Sequence, residues 1–178
     1  MKKKIICLMM ALGLVAALAA CSGKEGEETK TPDNTPAPTE STDVSAAGFA
    51  FVTPEGKTVA MDEDMETVLA DLGEAQSYFE AESCAFEGKD KTYTYSGFII
   101  TTRPDGEKDY VQSILLTDDS VATAEGIYLG SSAADVTAAY GEENGDNAAA
   151  MSYVKGNCTL NFIVTGDVVS SIEYLPAE

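Results

Sequence analysis

The chain contains no histidine and no tryptophan, and its 178 residues carry 11 Lys/Arg against 30 Asp/Glu. Without imidazole there is no His-based triad, no imidazole base and no His metal ligand. The scarcity of cations excludes a second class. From Cys21 onward 8 Lys/Arg face all 30 acids, a net charge of −22, and a field of that sign repels phosphate backbones and anionic headgroups. Nucleic acid is therefore not an expected partner. A glycine-rich phosphate loop is also missing, because Gly126 and Gly130 sit in different contexts with no lysine close behind.

The remaining candidates for chemistry are few. Cys84 has no His to activate it as a nucleophile. Carboxylate pairs serve as acid and base in glycosidases. Asp118-Asp119 and Asp105/Asp109 are the candidates, and both fall at expected turns or strand ends, where solvated carboxylates are ordinary. Asp62-Glu63-Asp64-Met65-Glu66 gathers oxygens of the kind calcium takes. It lacks the alternating ligands and central glycine of a calcium loop, and helix capping accounts for its acids. The expectation is a non-enzymatic protein with no metal and no cofactor.

The start of the chain is informative. Lys2, Lys3 and Lys4 precede sixteen uncharged residues, Ile5 to Ala20. That is the order of an export signal, and the stretch is shorter than the ~20 residues of a membrane span. Leu18-Ala19-Ala20-Cys21 resembles the bacterial lipobox. The resemblance implies removal of residues 1–20 and a diacylglyceryl group on Cys21. Two acyl chains at ~0.8 kcal/mol per buried CH₂ give stable anchoring, which places the protein on the outer face of a cell membrane. Residues 21–47 then read as lipidated cysteine plus tether. The stretch from Ser22 is rich in Lys, Glu, Thr, Pro and Ser, and cannot bury enough apolar surface to offset its ordering entropy. A coil of this length spans roughly 25–30 Å.

Export leaves Cys84 and Cys158 in an oxidising compartment, where they either pair as a disulfide or persist as small buried hydrophobes.

Residues 48–178 suffice for one compact domain or two small ones. Val59–Gly73 aligns with Ile127–Gly141 at an offset of 68 without a gap, most apolar positions coinciding. Thr53-Pro54-Glu55-Gly56 is echoed by Thr123-Ala124-Glu125-Gly126, two residues out of step, and Ser113-Ile114 by Ser171-Ile172. The expected organisation is α+β: unit one over 48–120 and unit two over 121–178, each a short helix followed by a three-stranded antiparallel meander. Met65, Val68, Leu69 and Leu72 line one helix, capped by Asp62 or Asp64 and stopped by Gly73. Ser131 or Ser132 caps the other, and Gly141 stops it. Expected strands are Thr92–Tyr95, Phe98–Arg103 and Asp109–Thr117, then Met151–Val154, Asn157–Val164 and Val168–Tyr174, with a leading strand near Ala50–Val52. Arg103-Pro104-Asp105-Gly106 is an expected turn, and unit one carries an insertion around Cys84 to Lys91.

Gly130, Asp135-Val136 and Tyr140-Gly141 followed by strands resemble the small outer-membrane-assembly lipoproteins of the SmpA/OmlA type. The tandem doubling is more similar to the beta-lactamase-inhibitor-protein fold. The resemblance implies a fold and a habit of binding proteins, and it places no inhibitory residues on this chain.

Tyr93, Tyr95, Tyr110, Tyr153 and Tyr174 fall on expected strands. They form either a protein-binding face, since tyrosine offers contact area at low entropy cost, or the core and its rim. The function expected is a lipid-anchored binding or scaffold module for an envelope or secreted protein. The alternative is an accessory or sensor lipoprotein that takes a small ligand or cation.

Overall fold

Two short amphipathic stretches become the two helices. The computed structural model describes residues 48–143 and 150–177; the export signal, Cys21 and the tether lie outside the described residues. Helix α1 spans Met65–Leu72 and α2 spans Ala133–Tyr140. Asp64 caps α1, its Oδ1 accepting from Glu66 N at 3.0 Å. Ser132 caps α2 in a capping box with Asp135, so two of the orphan N–H groups of the first turn are satisfied. Gly73 and Gly141 end them at φ 77° and 90°, conformations that a side chain would strain.

Among the described residues nine strands accompany them: β1 (Ala50–Val52), β2 (Thr58–Ala60), β3 (Ser77–Glu82), β4 (Lys89–Thr94), β5 (Phe98–Asp105), β6 (Lys108–Leu116), β7 (Ala150–Lys155), β8 (Cys158–Thr165) and β9 (Val168–Pro176). β1 and β2 form a small hairpin, and the other seven make one antiparallel sheet in the order β3-β4-β5-β6-β9-β8-β7. The class is mixed α+β. The meander after each helix meets the other where β6 pairs with β9, at Ile114↔Tyr174 and Leu116↔Ile172.

Alternation sets the core. Phe98, Ile100, Ile114 and Leu116 from one side, with Leu160, Phe162, Ile172 and Tyr174 from the other, point to one face and are buried against Phe51, Val59, Met65, Val68 and Val136. The hairpin β1–β2 and both helices therefore cover one face of the sheet.

The same hydrogen bonds occur after 48 and after 118. Gly56 N donates to Thr53 O at 2.8 Å, and Gly126 N to Thr123 O at 2.9 Å. Thr53 Oγ1 accepts from Lys57 N, and Thr123 Oγ1 from Ile127 N. Asp62 N and Glu63 O pair with Val111, while Gly130 N and Ser131 O pair with Val169, all within 2.8–3.0 Å. A bulge at Gln112 interrupts β5–β6, and another at Ser170 interrupts β8–β9.

Three expectations are corrected. Four strands, not three, follow α1: Ser77–Glu82 pairs along its whole length with β4. Both of its faces are largely exposed, so it lacks the period-two apolar signal of a half-buried strand. Pro104 sits inside β5, buried, and the turn is the two residues Gly106 and Glu107. The Cys84–Cys158 disulfide is not formed, since both are free, Cys84 exposed and Cys158 buried. Cys84 lies in the β3–β4 turn, and β5, β6 and β9 stand between β4 and β8. At ~4.8 Å per strand the two are roughly 20 Å apart, where a bridge needs Cα atoms within about 7 Å.

Candidate functional site

The sheet face away from the helices is open, and its chemistry follows from the register. One row crosses all seven strands through Ser77, Thr94, Ile99, Leu115, Glu173, Asn161 and Ser152. A second row sets Phe79, Thr92, Thr101 and Ser113 side by side. A third row runs from Leu175 through Thr159 to the exposed Val154, and Ile163 is exposed beside Ala150. Glu173 is the one carboxylate in the long row. The other charges of this face, Asp90, Arg103, Asp105 and Lys108, gather at the β5–β6 hairpin end. Away from that end Glu173 is the one charge of the face, on a chain of net −19.

Arg103 organises the hairpin end. Its guanidinium lies 5.4 Å from the Tyr110 ring centroid and 5.8 Å from that of Phe86, and bonds Asp62 Oδ1 at 3.1 Å. Lys108 reaches Asp64 at 2.5 Å. This pair and the backbone N–H of Glu66 hold the Asp64 carboxyl below the usual carboxylate range. Across the sheet, Lys91 bonds Asp109 at 2.5 Å and Lys89 bonds Glu80.

The five strand tyrosines do not share a face. Tyr93 and Tyr174 are buried. Tyr95 and Tyr153 are half-buried on the same helix-covered face, each donating its hydroxyl to a helix-ending glycine: Tyr95 to Gly73 O at 3.1 Å and Tyr153 to Gly141 O at 3.0 Å. Tyr110 alone stands on the open face. The tyrosine-lined binding surface is thus corrected: four of the five complete the core or fasten the helices. Strand parity around the β4–β5 and β7–β8 turns decides this.

Family models, curated proteins and solved structures were all compared with the chain, and none matches. The likeness to SmpA/OmlA-type lipoproteins and to the beta-lactamase-inhibitor-protein fold rests on the sequence motifs alone.

Five of the acids weighed for catalysis or calcium, Asp62, Glu63, Asp64, Asp109 and Asp118, have structural partners. Asp118 Oδ1 accepts from Ser120 N at 2.8 Å and from its hydroxyl, which lowers the Asp118 pKa. Asp109 holds Lys91, and Asp62 holds Arg103. Among the described residues no cluster of three metal-ligating side chains occurs, and no helix is long and apolar enough to cross a membrane. The burial of Cys158 pushes its thiol up to about 11, the opposite of an activated nucleophile. Sequence reasoning missed the open face because it was assembled from Thr, Ser and Asn as much as from apolar residues. The alternation of Ile99/Thr101 against Phe98/Ile100 was its available signal.

Proposed function

We propose that the protein is a lipid-anchored, extracytoplasmic module, tethered at Cys21, that binds another protein through the open face of its seven-stranded sheet. The observation that carries this reading is that, away from the β5–β6 hairpin end, this face of a strongly acidic chain bears a single charge, Glu173. Charge depletion marks the centre of protein interfaces more reliably than bulk apolarity does. Seven strands at ~4.8 Å and about six residues at ~3.3 Å give a face of roughly 650 Å². That approaches the ~800 Å² per partner of a standard interface. The partner is an envelope or secreted protein, with a cation placed to meet Glu173.

The domain behind that face is read as two tandem copies of one unit, 48–120 and 121–178. The paired turns, the paired Val111 and Val169 bridges, the two bulges and the two tyrosine–glycine bonds support this reading.

The purified chain, crosslinked to envelope and culture supernatant, is expected to capture one saturable protein. Leu115→Lys abolishes that capture, whereas Ala138→Lys on the exposed side of α2 retains it, with both variants melting like wild type. A blank capture, or one indifferent to Leu115→Lys, removes the face from consideration. Intact mass of membrane-extracted protein tests the anchor: a diacylated chain beginning at Cys21 is expected, and a full-length or unmodified chain contradicts it.

A further inference from the structure

We propose that the free edge of β3 pairs with β3 of a second copy, antiparallel about a two-fold axis at Phe79, so that two sheets become one of fourteen strands. β3 presents two adjacent exposed aromatics, Tyr78 at 51 % and Phe79 at 64 %. Ser83 N donates to Gly88 O, in phase with the pairs Ser77↔Thr94 and Phe79↔Thr92. Antiparallel alternation then leaves the backbone groups of Tyr78, Glu80 and Glu82 pointing off the edge. Such a row is a template for another strand. The opposite edge differs, because at β7 the Glu143 carboxylate accepts from Ser152 N at 3.3 Å and occupies one outward donor.

The strand is self-complementary in one register. With the axis at Phe79, that residue faces itself across a non-hydrogen-bonded pair, where Cα atoms lie ~4.5 Å apart. Tyr78 faces Glu80 of the second copy, repeating the Tyr78 hydroxyl to Glu80 Oε2 bond of 2.7 Å within the strand. Glu82 faces Gln76, and Ser77 faces Ala81. No carboxylate meets another directly. An axis at Glu80 instead opposes Glu80 to itself, which like-charge repulsion disfavours. An isologous contact of this kind closes as a dimer. Edge pairing of short strands buries little, under ~1,200 Å² in total, so the dimer dissociates on dilution.

The test is register-specific crosslinking in the full chain with Cys7, Cys21 and Cys84 changed to Ser. Phe79→Cys is expected to form a covalent dimer on mild oxidation. Ala81→Cys alone does not, because its two copies sit about four residues apart, ~13 Å, beyond disulfide reach. A mixture of Ser77→Cys and Ala81→Cys chains crosslinks. Glu82→Pro removes an outward N–H while keeping the β3–β4 ladder, and lowers the Phe79→Cys yield at least tenfold with an unchanged melting curve. A monomeric Phe79→Cys protein, or equal crosslinking by Ala81→Cys, overturns the proposal, the first outcome leaving the edge to a strand from another protein. Neither result bears on the open face, whose partner is read by capture.

Discussion

Residues 48–116 and 117–177 repeat several backbone hydrogen bonds and differ in surface. In both, a Thr-x-x-Gly turn leads through a positive-φ residue, Asp62 or Gly130, into a bridge with a buried valine and then a helix closed by glycine. The surfaces diverge. Lys89, Lys91, Arg103 and Lys108 in the first half each hold a carboxylate, whereas Lys155 is the one cation in the sequence of the second. Helix α1 exposes Glu66, Thr67, Ala70 and Asp71; α2 exposes Ala134, Asp135, Ala138 and Ala139. Exposed ion pairs contribute roughly 0–1 kcal/mol each, so these surfaces are free to vary. The buried turns, bridges and caps are not.

The halves also interlock, and breaking that contact gives the largest expected effect. Phe51 belongs to the first half and packs there against Phe98, ring centroids 4.8 Å apart, but its tilted ring also meets Tyr174 of the second half at 6.1 Å. It is fully buried. Phe51→Ala is expected to cost about 3–5 kcal/mol and to lower a single denaturant transition. Two separated transitions would show that the halves fold independently.

Next come the two glycines at the crossings. A Cβ on Gly97, in the β4–β5 turn, would meet Ser120 Oγ at 2.6 Å and Val121 Cγ1 at 2.8 Å; one on Gly48 would meet Lys155 O at 2.5 Å. Each half's leading segment thus rests on the other half's hairpin. Gly48→Ala and Gly97→Ala are each expected to destabilise by about 2 kcal/mol, from steric overlap and positive φ together. If only one does, as read by chemical denaturation, the crossings are not equivalent.

Much of this was legible in the sequence, and the exceptions have physical causes. Helix α1 was readable because Met65, Val68, Leu69 and Leu72 repeat at helical spacing between a capping Asp and a stopping Gly. Seven strands, β1 among them, were readable within a few residues at each end, while the three-residue β2 was missed. β3 was not readable, because an edge strand with two open faces needs no buried alternate residues. Nor were the cysteines, because sequence spacing does not say how many strands separate two positions. The tyrosines stayed open between a binding face and the core because two of them, Tyr95 and Tyr153, serve backbone carbonyls across a helix end, a role without a sequence pattern.

Helix caps come third in size and carry a pH signature. Ser132→Ala is expected to cost about 1 kcal/mol, and Asp64→Ala to destabilise as well. Asp64 and Asp135 both have folded pKa values below their ordinary ones. Their stabilisation is therefore complete above the ordinary carboxylate range and is lost as pH falls through the folded values. Thermal midpoints measured below pH 4 should converge for wild type and Asp64→Ala, and a constant gap at all pH values would contradict the assignment.

The smallest effect sharpens the comparison most. Tyr95→Phe and Tyr153→Phe each remove one hydroxyl while keeping the ring, and so isolate the bonds to Gly73 O and Gly141 O. A neutral hydrogen bond of this kind contributes about 0.5–1.5 kcal/mol, and each bond has an exposed side, which favours the lower end. Burial raises both tyrosine pKa values, so both hydroxyls stay protonated and able to donate at neutral pH. Equal losses in denaturant midpoint, with unchanged m-values, are expected if the two bonds are copies of one device. The rings make the comparison fair, since Tyr95 stacks on Phe98 at 5.0 Å and Tyr153 meets Phe162 at 6.1 Å. A loss at one site and none at the other would mean that the shared geometry is kept for packing, with the hydroxyl incidental in one half.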